Sequence, residues 1–115
     1  MIDLQANATI KGNMDLILLS ALSGGDKYGY EITKEVMAFT EGEIVLKEGS
    51  LYPALHKLEK QQYIEGYWAE NEPGKPGRKY YRLTEKGRAF MAEEREKWVS
   101  FIGTMRRIIY GEQHS

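Results

Sequence analysis

From Tyr63 to Thr84 the chain reads YIEGYWAENEPGKPGRKYYRLT, and this stretch decides the fold. Its two ends, Tyr63 to Glu70 and Arg78 to Thr84, are rich in Tyr, Trp and Ile and predict two short strands. Between them, Asn71 to Gly77 carry two prolines and two glycines, the composition of a protruding hairpin tip. Alternation along the second strand sets Lys79, Tyr81 and Leu83 on one face and Arg78, Tyr80 and Arg82 on the other.

Upstream of the hairpin, Leu51, Leu55 and Leu58 recur at spacings of 4 and 3 and mark a helix. Pro53 is harmless only near a helix start, so this helix is placed at about 50–62; the alternative is a kinked helix beginning at Lys47. Before it, Glu43 to Leu46 is a short apolar segment that could be extended. Earlier still, Tyr28, Ile32, Val36 and Phe39 outline a second helix, with Asp26 as its N-cap and Gly29 in its first turn. A glycine there is costly for a helix; the close approach of another backbone would account for it, and the alternative is an unremarkable glycine near a cap. The first helix, at residues 10–22, shows an apolar stripe of Ile10, Met14, Ile17, Leu18, Ala21 and Leu22. Leu16 and Leu19 lie off that stripe, at about 200° and 140° from Met14. A helix apolar on two sides is either a central core helix or one that meets its own domain and a second chain.

Downstream, Thr84 is placed to cap a long helix running from Glu85 to about Tyr110, near 39 Å at about 1.5 Å per residue. Met91, Ile102, Met105 and Ile109 fall within about 40° of Trp98 around its axis, flanked by Phe90, Phe101 and Ile108. The opposite side carries Glu93, Glu96, Lys97, Ser100, Thr104 and Arg107. Three short helices and a hairpin cannot cover a stripe of that length. The excess calls for a second copy in a two-fold, coiled-coil-like seam.

The chain has 115 residues, 42% hydrophobic and 29% charged, which fits one folded domain with a modest core. It has no cysteine, so disulfides, thiolate metal sites and cysteine nucleophiles are excluded. His56 lacks a second ligand at metal-binding spacing, and His114 lies in the polar end of the chain, so no metal or cofactor is expected. The longest apolar run, Leu16 to Leu22, is too short to span a bilayer, and Met1 to Gln5 do not open a secretory signal. A cytoplasmic location is expected. Gly74-Lys75-Pro76-Gly77 resembles a phosphate loop only superficially, lacking its glycine spacing, the Ser or Thr after Lys and the following helix. No enzyme is expected.

The order helix, helix, helix, strand, tip, strand, long helix is that of a winged helix-turn-helix. The fold class is therefore mainly α with a small β-hairpin, plus a long C-terminal dimerisation helix. Residues 1–84 form the winged unit, with its third helix at 50–62 and its wing at 63–84; residues 85–110 form the dimerisation helix and 111–115 a polar tail. The net charge of −1 hides a polarised distribution. Residues 1–46 hold three basic and seven acidic side chains, whereas residues 47–88 hold nine basic and six acidic. The third helix and wing thus carry the basic excess that phosphate contacts need. A winged helix can also serve purely as a protein-interaction module without DNA binding.

Three blocks carry a family resemblance: Tyr28-Gly29-Tyr30-Glu31-Ile32, Gly49-Ser50-Leu51-Tyr52-Pro53-Ala54-Leu55 through Leu58-Glu59, and Arg78 through Gly87. With the Tyr67-Trp68 pair they span about residues 10–110. The sequence resembles the PadR family of bacterial transcriptional regulators, and its short form is similar to the subfamily that includes multidrug-responsive repressors. One departure stands out: the family's Leu-Glu-x-x-Gly pattern after the third helix ends here in Gln62.

The resemblance implies a homodimeric repressor that binds double-stranded DNA at an inverted-repeat operator and is released by a planar aromatic small molecule. Ser50, Tyr52, His56 and Lys57 are then candidates for base-edge and phosphate contacts, with Tyr52 alternatively packed partly into the domain. Lys75, Arg78 and Lys79 are phosphate contacts by type. Trp98, Ile102, Met105, Leu16 and Asp15 would line an effector cavity at the seam, or Trp98 would simply be interface core. Leu19, Met91, Trp98, Ile102, Met105 and Ile109 are the expected dimer-interface residues.

Overall fold

The computed structural model describes residues 12–70, 73, 74 and 77–111. Ile10, Lys75 and the tail beyond Gly111 lie outside the described residues.

The first described helix, α1, spans Met14–Leu22 and is the axis of the core. Leu18, Leu19, Ala21 and Leu22 are buried, and α1 packs against the second, third and last helices and the central strand. Of the two readings of its apolar surface, the central core helix holds for Leu19, which is fully covered by its own chain. Leu16 is only partly buried. Ser23 Oγ donates to the Ser20 carbonyl at 2.6 Å where the helix ends, and Gly25 turns the chain with a φ of 146°.

A two-residue strand, β1 (Lys27–Tyr28), follows and was not foreseen. It starts the second helix, α2 (Gly29–Phe39), later than expected: the N-cap is Tyr28 rather than Asp26. The Glu31 carboxylate accepts from the Tyr28 backbone N–H at 3.2 Å, completing the first turn. Asp26 instead accepts a 2.6 Å bond from the Tyr67 hydroxyl, so its carboxylate serves the sheet and not the helix. Ile32 and Val36 are buried, but Phe39 is 89% exposed, so the expected stripe loses its last member to solvent. Residues 43–46 form no strand; they cross to the next helix with Leu46 buried.

The third helix, α3, spans Glu48–Lys60, beginning before and ending short of the expected 50–62. Leu51, Leu55 and Leu58 are at most 1% exposed and anchor it to the core. Pro53 sits in the second turn on the exposed side, where its ring meets solvent rather than the core. Past the Gln61 cap, Gln62 adopts a left-handed backbone, with φ 66°. Its N–H bonds to Glu59 O and that of Tyr63 to Leu58 O, both at 3.0 Å. This is a Schellman ending whose glycine position is filled by glutamine.

Strands β2 (Ile64–Ala69) and β3 (Arg78–Leu83) pair antiparallel from Ile64↔Leu83 to Ala69↔Arg78. β1 adds to the other edge of β3, giving the order β1-β3-β2. Tyr81 and Leu83 are buried while Arg78 and Arg82 are exposed, as the alternation requires. The last helix, α4, spans Glu85–Tyr110, and Thr84 Oγ1 caps it by accepting from Gly87 N at 3.0 Å. Its first turns pack tightly: Met91 is buried and Phe90 stacks on Tyr63 at 4.3 Å. Its far half carries Phe101, Ile102, Ile108 and Ile109 more than half exposed.

Candidate nucleic-acid interface

Helix α3 buries its leucine row and turns the rest of its circumference outward, which leaves Ser50, Tyr52, His56 and Lys57 exposed together. Tyr52 is both open to solvent and packed partly into the domain. It is 44% exposed, yet its ring leans over Gly29, where an added Cβ would come within 2.5 Å of the phenol oxygen. The close approach at Gly29 is thus that of a side chain of α3, not of another backbone as expected, and it sets the first turn of α2 against the candidate reading helix.

The wing cations separate into two environments. Arg78, on the outer face, lies over the Tyr28 ring at 4.6 Å and donates to the Tyr28 hydroxyl at 2.8 Å. Lys79, on the inner face, turns toward α3 and pairs with Glu59 at 3.1 Å, its ammonium 5.4 Å from the Tyr81 ring. The charge of Lys79, an expected phosphate contact, is thus already matched by a carboxylate of the same chain. Arg82 likewise pairs with Glu65 at 3.0 Å, and Lys86 donates to the Gln61 carbonyl at 2.9 Å. Part of the basic run counted in the sequence therefore braces the wing.

The outer face of the sheet is an aromatic network. Tyr28 meets Tyr80 edge to face at 5.4 Å, and Tyr80 stacks with Tyr67 at 5.9 Å. The bond to Asp26 holds the Tyr67 phenol above its usual range. Burial does the same for Tyr81, partly offset by the nearby Lys79 charge. The signal for this network was present in the tyrosine spacing, but β1, which supplies Tyr28, was too short to read.

The residues expected around an effector are not gathered into one cavity by the single chain. Trp98 donates from Nε1 to Asn13 Oδ1 and meets Phe101 edge to face at 6.0 Å. With Glu94 and Lys97 these residues line an open hollow of about 390 Å³. Leu16 lines a separate groove of about 500 Å³ with Val36, Phe39, Ile44 and Arg95. Asp15, Ile102 and Met105 line neither. Phe39 and Arg95 carried no sequence signal for that groove, because it forms between three helices far apart in the chain. Two expected interface residues are also corrected: Leu19 and Met91 are covered by their own core and have no surface left for a partner. Among the described residues there is no metal-binding cluster of His, Cys, Asp or Glu. No described helix is long and apolar enough to cross a membrane.

Comparison with known proteins places this geometry. Residues 18–93 match the transcriptional regulator PadR-like family. A transcriptional regulator from Clostridium thermocellum superposes with a TM-score of 0.80 at 37% identity, covering 88% of this chain and 97% of the other. A PadR family transcription regulator from Clostridium difficile gives 0.75 at 34% identity, covering 85% and 99%. The transcriptional regulator YqjI of Escherichia coli is 35% identical over 86 residues, 75% of this chain but only 39% of that longer protein.

Proposed function

The chain belongs to the PadR-like family of DNA-binding transcriptional regulators, and from that premise we propose that it is a homodimeric repressor released from its operator by a planar aromatic molecule. The observation that carries this reading is the far half of α4, where Phe101, Ile102, Met105 and Ile109 are left 37% to 66% exposed by their own chain. A second copy related by a two-fold axis covers that stripe and sets two α3 helices toward successive major grooves of an inverted repeat.

On this reading residues 1–84 are the DNA-binding unit, 85–110 the dimerisation helix and 111–115 a tail, and the protein works in the cytoplasm. Ser50, Tyr52, His56 and Lys57 meet base edges and phosphates, and Arg78 and Lys75 meet phosphates. The hollow beside Trp98 becomes a closed cavity when the partner's α4 crosses it, bringing Leu16, Asp15, Ile102 and Met105 near the indole. Stacking of a flat ligand on Trp98 competes with the packing that holds the two half-sites in register.

The engagement of Lys79, Arg82 and Lys86 within the chain favours a second reading, an interaction module that does not bind DNA. A salt-dependent gel shift with DNA upstream of the protein's own gene decides between them: a retarded complex and a footprint with two-fold symmetry support the repressor, and no shift at low salt removes it. Titration of planar cationic drugs and phenolic acids against tryptophan fluorescence tests release. A response that persists in Trp98→Ala removes the cavity.

A further inference from the structure

Trp68 is 71% exposed, although it stands on the inner face of the wing, the face that Ile64 buries in the core. Directly opposite residues of an antiparallel pair share a face, so the rungs of this face are Ile64↔Leu83, Gly66↔Tyr81 and Trp68↔Lys79. The first rung is buried on both strands. At the second, Tyr81 is buried, and the side chains of Lys79 and Glu59 occupy the space beside Gly66, where a Cβ would stand 2.4 Å from Lys79 Cε. The third rung projects past the core toward the tip, where a Cβ built on Gly77 would stand 3.9 Å from the indole Cε3. The Lys79–Glu59 pair joins this part of the wing to α3. The indole therefore borders the crevice between the wing and the candidate reading helix, and the core does not claim it.

We infer that Trp68 is a backbone contact for duplex DNA, packing its ring on a deoxyribose of the strand between α3 and the wing and donating Nε1–H to a phosphate oxygen. The inference rests on the DNA-binding reading above and adds a contact of a different kind. An indole offers one donor, no acceptor and a broad apolar face, which suits a sugar beside a phosphate. Its cross-strand neighbour, Lys79, is matched by Glu59, so at this rung of the wing the indole offers packing rather than charge. A contact of this kind adds affinity without releasing counterions, because it neutralises no phosphate. It is also indifferent to base sequence, as backbone contacts are.

The test uses the full chain labelled with 5-fluorotryptophan, whose two ¹⁹F resonances are assigned by loss of one in Trp68→Phe. On adding a duplex from upstream of the protein's own gene, the Trp68 resonance moves and its H₂O/D₂O isotope shift falls. In parallel, Trp68→Ala weakens binding about 5–20-fold with the slope of log K against log salt unchanged. The melting temperature of each variant, measured alongside, separates this from unfolding. The inference is overturned if the duplex binds while the Trp68 resonance stays in place, or if Trp68→Ala binds as the natural chain does. It is also overturned if Trp68→Ala flattens the salt slope, which would mean a displaced cation. If the natural chain binds no duplex at any salt, the DNA-binding reading itself fails, and that outcome is distinct from the others.

Discussion

The Glu59 carboxylate of α3 accepts from Lys79 Nζ of β3 at 3.1 Å through one oxygen and from the Gly66 backbone N–H at 3.2 Å through the other. One side chain thus spans the helix, both long strands and the angle between them. The pair is about one-third exposed on each side, so water screens it and its worth as an ion pair is below about 1 kcal/mol. Its importance lies in geometry: it ties the wing to α3 and gives Lys79 a carboxylate partner within the chain.

That division of labour predicts unequal salt dependences. Arg78→Gln removes an exposed cation and lowers the slope of log K against log salt by about 0.9. Lys79→Gln removes one that Glu59 already neutralises and lowers it by much less. Gel shifts between low and moderate salt measure both. Equal slopes for the two variants would return Lys79 to the DNA surface.

Gln62 holds a left-handed backbone at φ 66°, in the position where a Schellman ending favours glycine. An L-residue there carries strain of about 1 kcal/mol that glycine does not. Gln62→Gly is therefore expected to stabilise the fold by about 0.5–1 kcal/mol, less the greater freedom that glycine gives the unfolded chain. Urea denaturation gives the difference. A destabilised variant would mean that the glutamine side chain contributes more than its backbone costs.

The sequence was most legible where a repeat or a cap wrote the structure locally. The leucine row of α3, the strand alternation and the Thr84 cap were readable because each depends on neighbours within a few residues. β1 was not, because two residues carry no periodicity and gain their ladder only from β3, more than fifty positions away. The same limit hid the pairing of Arg82 with Glu65, set by the strand register, and of Lys79 with Glu59, set by the packing of α3 on the wing. It also led to Leu19 being assigned to an interface: angular position on a helix shows which side a residue faces, not what covers that side.

Gly87 has no room for a methyl group. A Cβ there would stand 1.9 Å from the Tyr63 carbonyl oxygen and 2.9 Å from Leu83 Cδ1. That carbonyl accepts from both Thr84 N and Thr84 Oγ1, so it cannot withdraw without losing bonds that position Thr84, the N-cap of α4. Gly87→Ala is expected to cost about 3 kcal/mol or more, outweighing the helix propensity alanine adds. The denaturation midpoint checks it. Gly103→Ala, open on all sides except the end of Arg107, is the control and should raise stability slightly.

Tyr81 and Tyr67 link the stability of the fold to alkaline pH. Burial keeps the Tyr81 phenol above the usual 10.0, and the bond to Asp26 does so for the exposed Tyr67. The folded chain holds these protons more tightly than the unfolded one. Their contribution is whole below pH 10 and falls as pH rises through the folded values. Denaturation midpoints should decline above about pH 10, and Tyr81→Phe should flatten the decline. An equal decline in Tyr81→Phe would assign it to other groups.

The far half of α4 makes the sharpest demand on a partner. Ile102 and Ile109 are 52% and 66% exposed and belong to no part of the chain's own core. Replacing both with glutamate should therefore leave the winged unit's melting unchanged. If a second copy covers them, each protomer loses roughly 1.5–3 kcal/mol of burial per side chain and gains charges facing their symmetry mates. Sedimentation equilibrium should then show a dimer for the natural chain and a monomer for Ile102→Glu/Ile109→Glu. Helical content should fall as well, since the last turns of an unsupported helix are marginal in water. Binding to an inverted repeat should weaken by about a hundredfold or more, because one chain holds only one half-site. A double variant that stays dimeric would move the seam elsewhere, and the open groove beside Phe39 and Arg95 would be the next surface to test.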